Sequence, residues 1–167
     1  LALTGLAAAH PGHLHVLPLE LSSERSIAEF VRETSALTDA LDALINNGAY
    51  GQAGAVEDLS REVLRAQFET NLFGTVELTN RIIPVMRKQQ DGRIVMNSSV
   101  LGLVTLPYRG AYSASKFALE GLTDTLRLAN LVHADRKLTH LFEQDEFQFA
   151  LEAVGHHDSL ATREQFG

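Results

Sequence analysis

Arg93-Ile94-Val95-Met96-Asn97-Ser98-Ser99 is followed, thirteen residues after its last serine, by Tyr112-Ser113-Ala114-Ser115-Lys116. The first stretch predicts a buried strand over Arg93–Asn97, closing on small polar residues. The second opens a helical pattern that runs to Asn130. Upstream the same order recurs. Leu41–Ile45 is a compact apolar run closed by Asn46-Asn47-Gly48, a strand meeting a turn. Leu59–Arg87 is one long helical pattern with Phe68, Leu72, Val76 and Ile83 along a stripe, and Pro84 predicts a kink or a second helix there. Further back, Ser22-Ser23-Glu24-Arg25 starts a helix with a serine N-cap, and Ile27, Phe30 and Val31 follow at helical spacing. His13–Leu19 reads as a short strand, and residues 1–9 as a helix end stopped by Pro11-Gly12. Strands separated by helices predict an α/β fold with a parallel sheet. Ligands of such sheets sit at the carboxyl ends of the strands. Asn46-Asn47 and Ser98-Ser99 both fall at such ends.

Bulk properties narrow the function classes. A chain of 167 residues fits one domain, 1–167, with a sizeable core. A net charge of −7, with its 14 basic residues scattered, argues against nucleic acid and acidic membranes as partners. With no cysteine there is no disulfide, thiolate metal site or thiol nucleophile, which suits a reducing cytoplasm. No apolar run approaches the length that spans a bilayer, and the start Leu1-Ala2-Leu3-Thr4-Gly5-Leu6 lacks the basic opening of a signal peptide. His13 and His15 share a face of their presumed strand, and His156-His157 are adjacent. Neither pair has a convincing third ligand, so no metal site is expected.

Tyr112 and Lys116 carry chemistry. Residues four apart lie on one helix face, so phenol and ammonium can enter one cleft. A phenol titrates near pH 10, and a neighbouring cation favours the phenolate. A phenol so tuned can give a proton to a carbonyl oxygen or take one from an alcohol. Ser99 can hydrogen-bond the same oxygen. The bland alternative is a surface Tyr and Lys on an amphipathic helix. Ser99 and the flanking Gly110-Ala111 and Phe117-Ala118-Leu119-Glu120-Gly121 weigh against it.

With these residues, Leu41–Leu128 resembles the short-chain dehydrogenase/reductase family, most closely bacterial oxidoreductases of aldehydes, ketones or alcohols. The resemblance implies a Rossmann-like doubly wound parallel sheet and a catalytic tetrad of Asn71, Ser99, Tyr112 and Lys116. Tyr112 would be the acid/base, with Lys116 tuning it and Ser99 orienting the substrate oxygen. Asn71, an unusual choice inside a helical pattern, would support a water joining the lysine to solvent. The cofactor would be NADP or NAD, with NADP preferred, held by Asn47, Gly48, Ala49, Tyr112 and Lys116. Asn46-Asn47-Gly48-Ala49 differs from the family's Asn-Asn-Ala-Gly by an exchange of its last two residues. Glu20, with Leu21 beside it, stands where the family has an adenine-contacting Asp. A carboxylate beside a helix N-terminus is the competing reading. The implied substrate is a small hydrophobic aldehyde, ketone or secondary alcohol, because Val100, Leu101, Leu103, Val104, Leu106 and Tyr108 are mostly apolar. The implied assembly is a homodimer or homotetramer through the two long helices.

The resemblance also has gaps. The family's opening strand and glycine-rich phosphate loop do not precede Glu20. The strand and Pro-Gly loop expected after Leu128 are missing too, with no proline beyond Pro107. Ala129–Gly167 reads as atypical, helical, mixed-charge sequence. The favoured expectation is a longer enzyme represented by joined segments, with breaks near Leu128 and after Ala134. The alternative is a short, non-catalytic interaction protein derived from the same fold and lacking cofactor binding. The complete set Asn71, Ser99, Tyr112 and Lys116 argues against it.

Overall fold

The computed structural model describes residues 2–132. Helix α1 spans Ala2–Ala9 and α2 spans Glu24–Leu37; strand β1 is Ala43–Asn46. Helix α3, Arg61–Phe68, passes through a π-helical stretch, Glu69–Gly74, into α4, Thr75–Gln89. Strand β2 is Arg93–Met96, and α5 runs Gly110–Val132. Short 3-10 turns occupy Val56–Asp58 and Val100–Gly102.

Local chemistry sets the helix ends. The Ser23 hydroxyl accepts from Ser26 N–H at 3.3 Å and caps α2. The Ser60 hydroxyl does the same for α3 through Val63 N–H. Gln90, in the left-handed region at φ 61°, ends α4.

β1 and β2 pair in parallel, Ala43 with Arg93 through to Asn46 with Met96. The α3–α4 crossover between them makes a βαβ unit. Residues alternate between the two faces of a strand. One face carries Leu44, Ile94 and Met96, packed with Ile27 of α2, Leu78, Ile82, Ile83 and Met86 of α4, and Leu119 of α5. The opposite face is open among the described residues: Ile45 is 66% exposed.

Two expectations need correction. His13–Leu19 forms no strand. It is irregular between α1 and the turn before α2, because no neighbouring strand is there to pair with it among the described residues and Pro18 offers no N–H. The Leu59–Arg87 pattern is also not one uniform helix. Its middle widens to the π-helical stretch, while α4 runs on through Pro84 without a break. The extra residue per turn lets Asn71, Leu72, Gly74 and Thr75 all be buried in close succession, which a uniform helical stripe does not do. Gly74 is needed at this crossing. A Cβ there would lie 1.9 Å from the Leu21 carbonyl oxygen. The remaining elements match within two residues, and residues 133–167, with most of the atypical tail, lie outside the described residues.

Candidate active site

The carboxyl ends of β1 and β2 converge with the start of α5. Asn97 follows β2. Its N–H donates to Asn46 O at 2.9 Å, and its side-chain amide donates to Asn47 Oδ1. Its carbonyl accepts from Lys116 Nζ at 2.8 Å. Ser99, in extended backbone, caps the next turn by accepting from Leu101 N–H at 3.2 Å. Gly110 lets α5 begin against Val56, where a Cβ would lie 2.9 Å from Cγ2.

Tyr112 and Lys116 share one face of α5, as their spacing requires. The ammonium lies 5.7 Å from the centre of the Tyr112 ring. Lys116 is only 2% exposed. Burial pushes its pKa below the ordinary lysine value, and the Glu120 carboxylate one turn later opposes that shift. The Tyr112 ring packs against the Gly51 backbone, where a Cβ would sit 3.5 Å from Cδ2.

Asn71 is fully buried, and each end of its amide is used. Oδ1 accepts from Tyr50 N–H at 3.0 Å, and Nδ2 donates to Tyr50 O at 2.8 Å and to the Ser115 hydroxyl at 3.1 Å. Ser115 in turn donates to Tyr112 O at 2.7 Å. A hydrogen-bonded chain thus joins the π-helical stretch to the helix bearing Tyr112 and Lys116.

Two participants, Gln67 and Ser115, belong to no motif legible in the sequence. Gln67, with no exposed surface, donates to Tyr50 O at 2.8 Å and accepts from Gln52 N–H at 2.7 Å. Gln67 and Asn71 therefore clamp the Tyr50–Gln52 loop from one helix face. Their four-residue spacing and the low helix preference of Asn were the available signals.

On the far side of the Asn-Asn-Gly turn, Leu21 fills the space beside Gly48, where a Cβ would lie 2.7 Å from Leu21 Cδ1. Asn47, Gly48 and Ala49 are themselves exposed. Glu20 is occupied locally. Its carboxylate accepts from Ser22 N–H at 3.0 Å and the Ser22 hydroxyl at 2.8 Å, and these bonds hold its pKa below the usual range. Glu20 N–H donates to the Ser26 hydroxyl. Its bonds build the entrance to α2, and Leu21 makes the contacts to Gly48 and Gly74. Among the described residues no cluster of His, Asp and Glu could hold a metal, and no helix is long and apolar enough to cross a membrane.

The family model for short chain dehydrogenase matches residues 2–133. The chain belongs to the short-chain dehydrogenase family. It is 43% identical over 122 residues to the oxidoreductase YbbO of Escherichia coli strain K12, covering 72% of this chain and 45% of that protein. It is 37% identical over 117 residues to a 3-ketodihydrosphingosine reductase of Bacteroides thetaiotaomicron, covering 70% and 44%. The chain thus spans less than half the length of these curated relatives. A crystal structure of a short-chain dehydrogenase from Streptomyces avermitilis superposes with a TM-score of 0.76 at 32% identity, covering 83% of this chain and 50% of that one. The Rossmann-like α/β fold follows from this likeness.

Short-chain dehydrogenases bind NAD(P), and the residues present fit such a group. Asn47, Gly48 and Ala49 form an exposed turn at a strand's carboxyl end, and Asn97 joins it to the Lys116 cation by bonding both Asn47 and Lys116.

Proposed function

We propose that this chain carries the proton-transfer part of an NAD(P)-dependent oxidoreductase acting on a carbonyl or alcohol of a small hydrophobic substrate. The observation that carries the reading is the Lys116 ammonium, buried, anchored on Asn97 O and set 5.7 Å from the Tyr112 ring centre. A buried cation there attracts the negative charge that develops on the reacting oxygen. Tyr112 gives its proton to the substrate oxygen in reduction and takes it back in oxidation. Ser99 donates a hydrogen bond to the same oxygen and steadies its developing charge. Asn71 holds the Tyr50 loop and, through Ser115, the first turn of α5, which fixes where Tyr112 stands. Asn47, Gly48 and Ala49, with Leu21 behind them, would hold the cofactor, together with Tyr112 and Lys116. When bound, it supplies the hydride.

The reading prefers NADP to NAD and a cytoplasmic enzyme. Val100, Leu101, Leu103, Val104 and Leu106 support an aldehyde, ketone or secondary alcohol of apolar character, and the keto group in the name of the Bacteroides relative agrees with it. Exposed Leu64, Phe73, Phe117, Leu122 and Leu128 on α3, the π-helical stretch and α5 support a homodimer or homotetramer, which sedimentation equilibrium of the full chain checks.

Titration of the full chain with NADPH and NADH, followed by an aldehyde and ketone screen, tests the class. Tyr112→Phe then tests the site. We expect a loss of turnover of about 10²–10⁴-fold with cofactor affinity retained. Near-normal turnover would remove Tyr112 from its role.

A further inference from the structure

Glu120 lies one turn after Lys116 on α5, so their side chains rise from one helix face, about 5–6 Å apart at Cβ. It has no place in the chemistry described so far. Its Oε1 is buried without a hydrogen-bond partner, and so is the Ser98 hydroxyl. The Glu120 side chain and the Ser98 hydroxyl both lie next to Gly102. A Cβ at that glycine would lie 3.1 Å from Glu120 Cγ, 3.1 Å from Ser98 Oγ and 3.3 Å from Lys116 O. The half-buried Glu120 thus runs its side chain from α5 past Gly102, in the turn after β2, with one carboxylate oxygen shut off from solvent.

Packing alone does not account for a carboxylate here. A buried, unpartnered carboxylate oxygen costs free energy that an apolar side chain of similar volume would not. A buried ammonium carries the same kind of cost, and Lys116 has a single hydrogen bond, to a neutral carbonyl. The two charges form no direct ion pair, so each offsets part of the other's cost through space, one helical turn apart.

We propose that Glu120 is the counter-charge of Lys116, a positioning residue that keeps the buried ammonium protonated while Tyr112 exchanges its proton. The surroundings leave this task to Glu120. The turn Val100–Gly102 and the segment Asn97–Ser99 contain no ionisable side chain. Glu69 of the π-helical stretch and Arg61, Glu62 and Arg65 of α3 are all exposed, as is Arg109 beside Gly51. On α5 itself Tyr112 is the other titratable neighbour, and the exposed Asp124 is paired with Arg127 at 3.3 Å. Glu120 is the charged group that opposes the effect of burial on Lys116.

The inference rests on the reading of Lys116 given above, so its test separates the two. The Lys116 ammonium is titrated directly by NMR in the full chain, in the natural protein and in Glu120→Gln and Glu120→Asp. The pH dependence of turnover is recorded beside it. Removing the anion removes the influence that raises the lysine value. In folded Glu120→Gln, Lys116 is expected to release its proton at lower pH, with the alkaline limb of turnover displaced the same way. Glu120→Asp should restore part of the shift. An unmoved Lys116 titration in folded Glu120→Gln overturns the proposal. So does turnover that falls equally at every pH with no displacement, which is the mark of a purely structural role. A displaced titration with an undisplaced turnover profile upholds the counter-charge and instead refutes the role given to Lys116.

Discussion

Asn71 and Gln67 show how the proposed site can depend on side chains that bond only backbone and a neighbouring hydroxyl. Both are buried, and both spend their amides on the backbone of Tyr50 and Gln52. Gly51, between those residues, packs against the Tyr112 ring. The clamp therefore sets the wall on which the tyrosine rests. Gln67→Leu keeps the volume but leaves Gln52 N–H without its acceptor, at a cost of about 1–3 kcal/mol. Denaturant unfolding should register that loss. A loss below about 0.5 kcal/mol, within the usual range of surface substitutions, would show that Asn71 alone holds the loop. Asn71, Ser99, Tyr112 and Lys116, the residues of the proposed site, stand out in the sequence because their spacing and neighbours form a motif. Gln67 does not, since its partners are backbone groups and backbone leaves no residue signature. Glu20 was legible as an acid, and the sequence did not reveal that its nearest donors, the Ser22 N–H and hydroxyl, come from its own turn.

Among the elements, the π-helical stretch has the largest consequence. It rotates the end of α3 against the start of α4, so that Asn71 faces the Tyr50 loop while Gly74 faces Leu21. Gly74→Ala places a methyl against a backbone carbonyl, an atom that cannot rotate away. Overpacking of this kind costs about 1–3 kcal/mol or more, and the urea midpoint should fall accordingly. The segment around Leu21 must move, so cofactor affinity should weaken in the same variant. An unchanged midpoint would mean that the Leu21 turn yields freely. Hydrophobic periodicity revealed the helix on either side but not the widened turn. A stripe of Phe68, Leu72, Val76 and Ile83 looks much the same whether or not one extra residue is threaded through it. The strand expected at His13–Leu19 failed for a related reason. Extended sequence becomes a strand only beside a partner, and pairing is not written in the segment itself.

Across the whole molecule, β1 and β2 are paired residue by residue at a separation of fifty positions, Ala43 with Arg93 and Asn46 with Met96. Closing a loop of that length costs about 3.5 kcal/mol from chain length alone, before any ladder bond is formed. The α3–α4 segment joins the two strands and is local in its own bonding, so it can order first and shorten the search. Pulse-labelled hydrogen exchange during refolding should find α4 amides protected before those of β2. Simultaneous protection would instead mean that strand pairing belongs to the folding nucleus. The order has a consequence for the site. Asn97, which gives Lys116 its acceptor and Asn47 its donor, is fixed only when β2 docks beside β1. On that order a refolding chain would gain its helices early and the Lys116–Asn97 bond last. A slowly pairing variant would pass through a compact species whose lysine has nothing to hold.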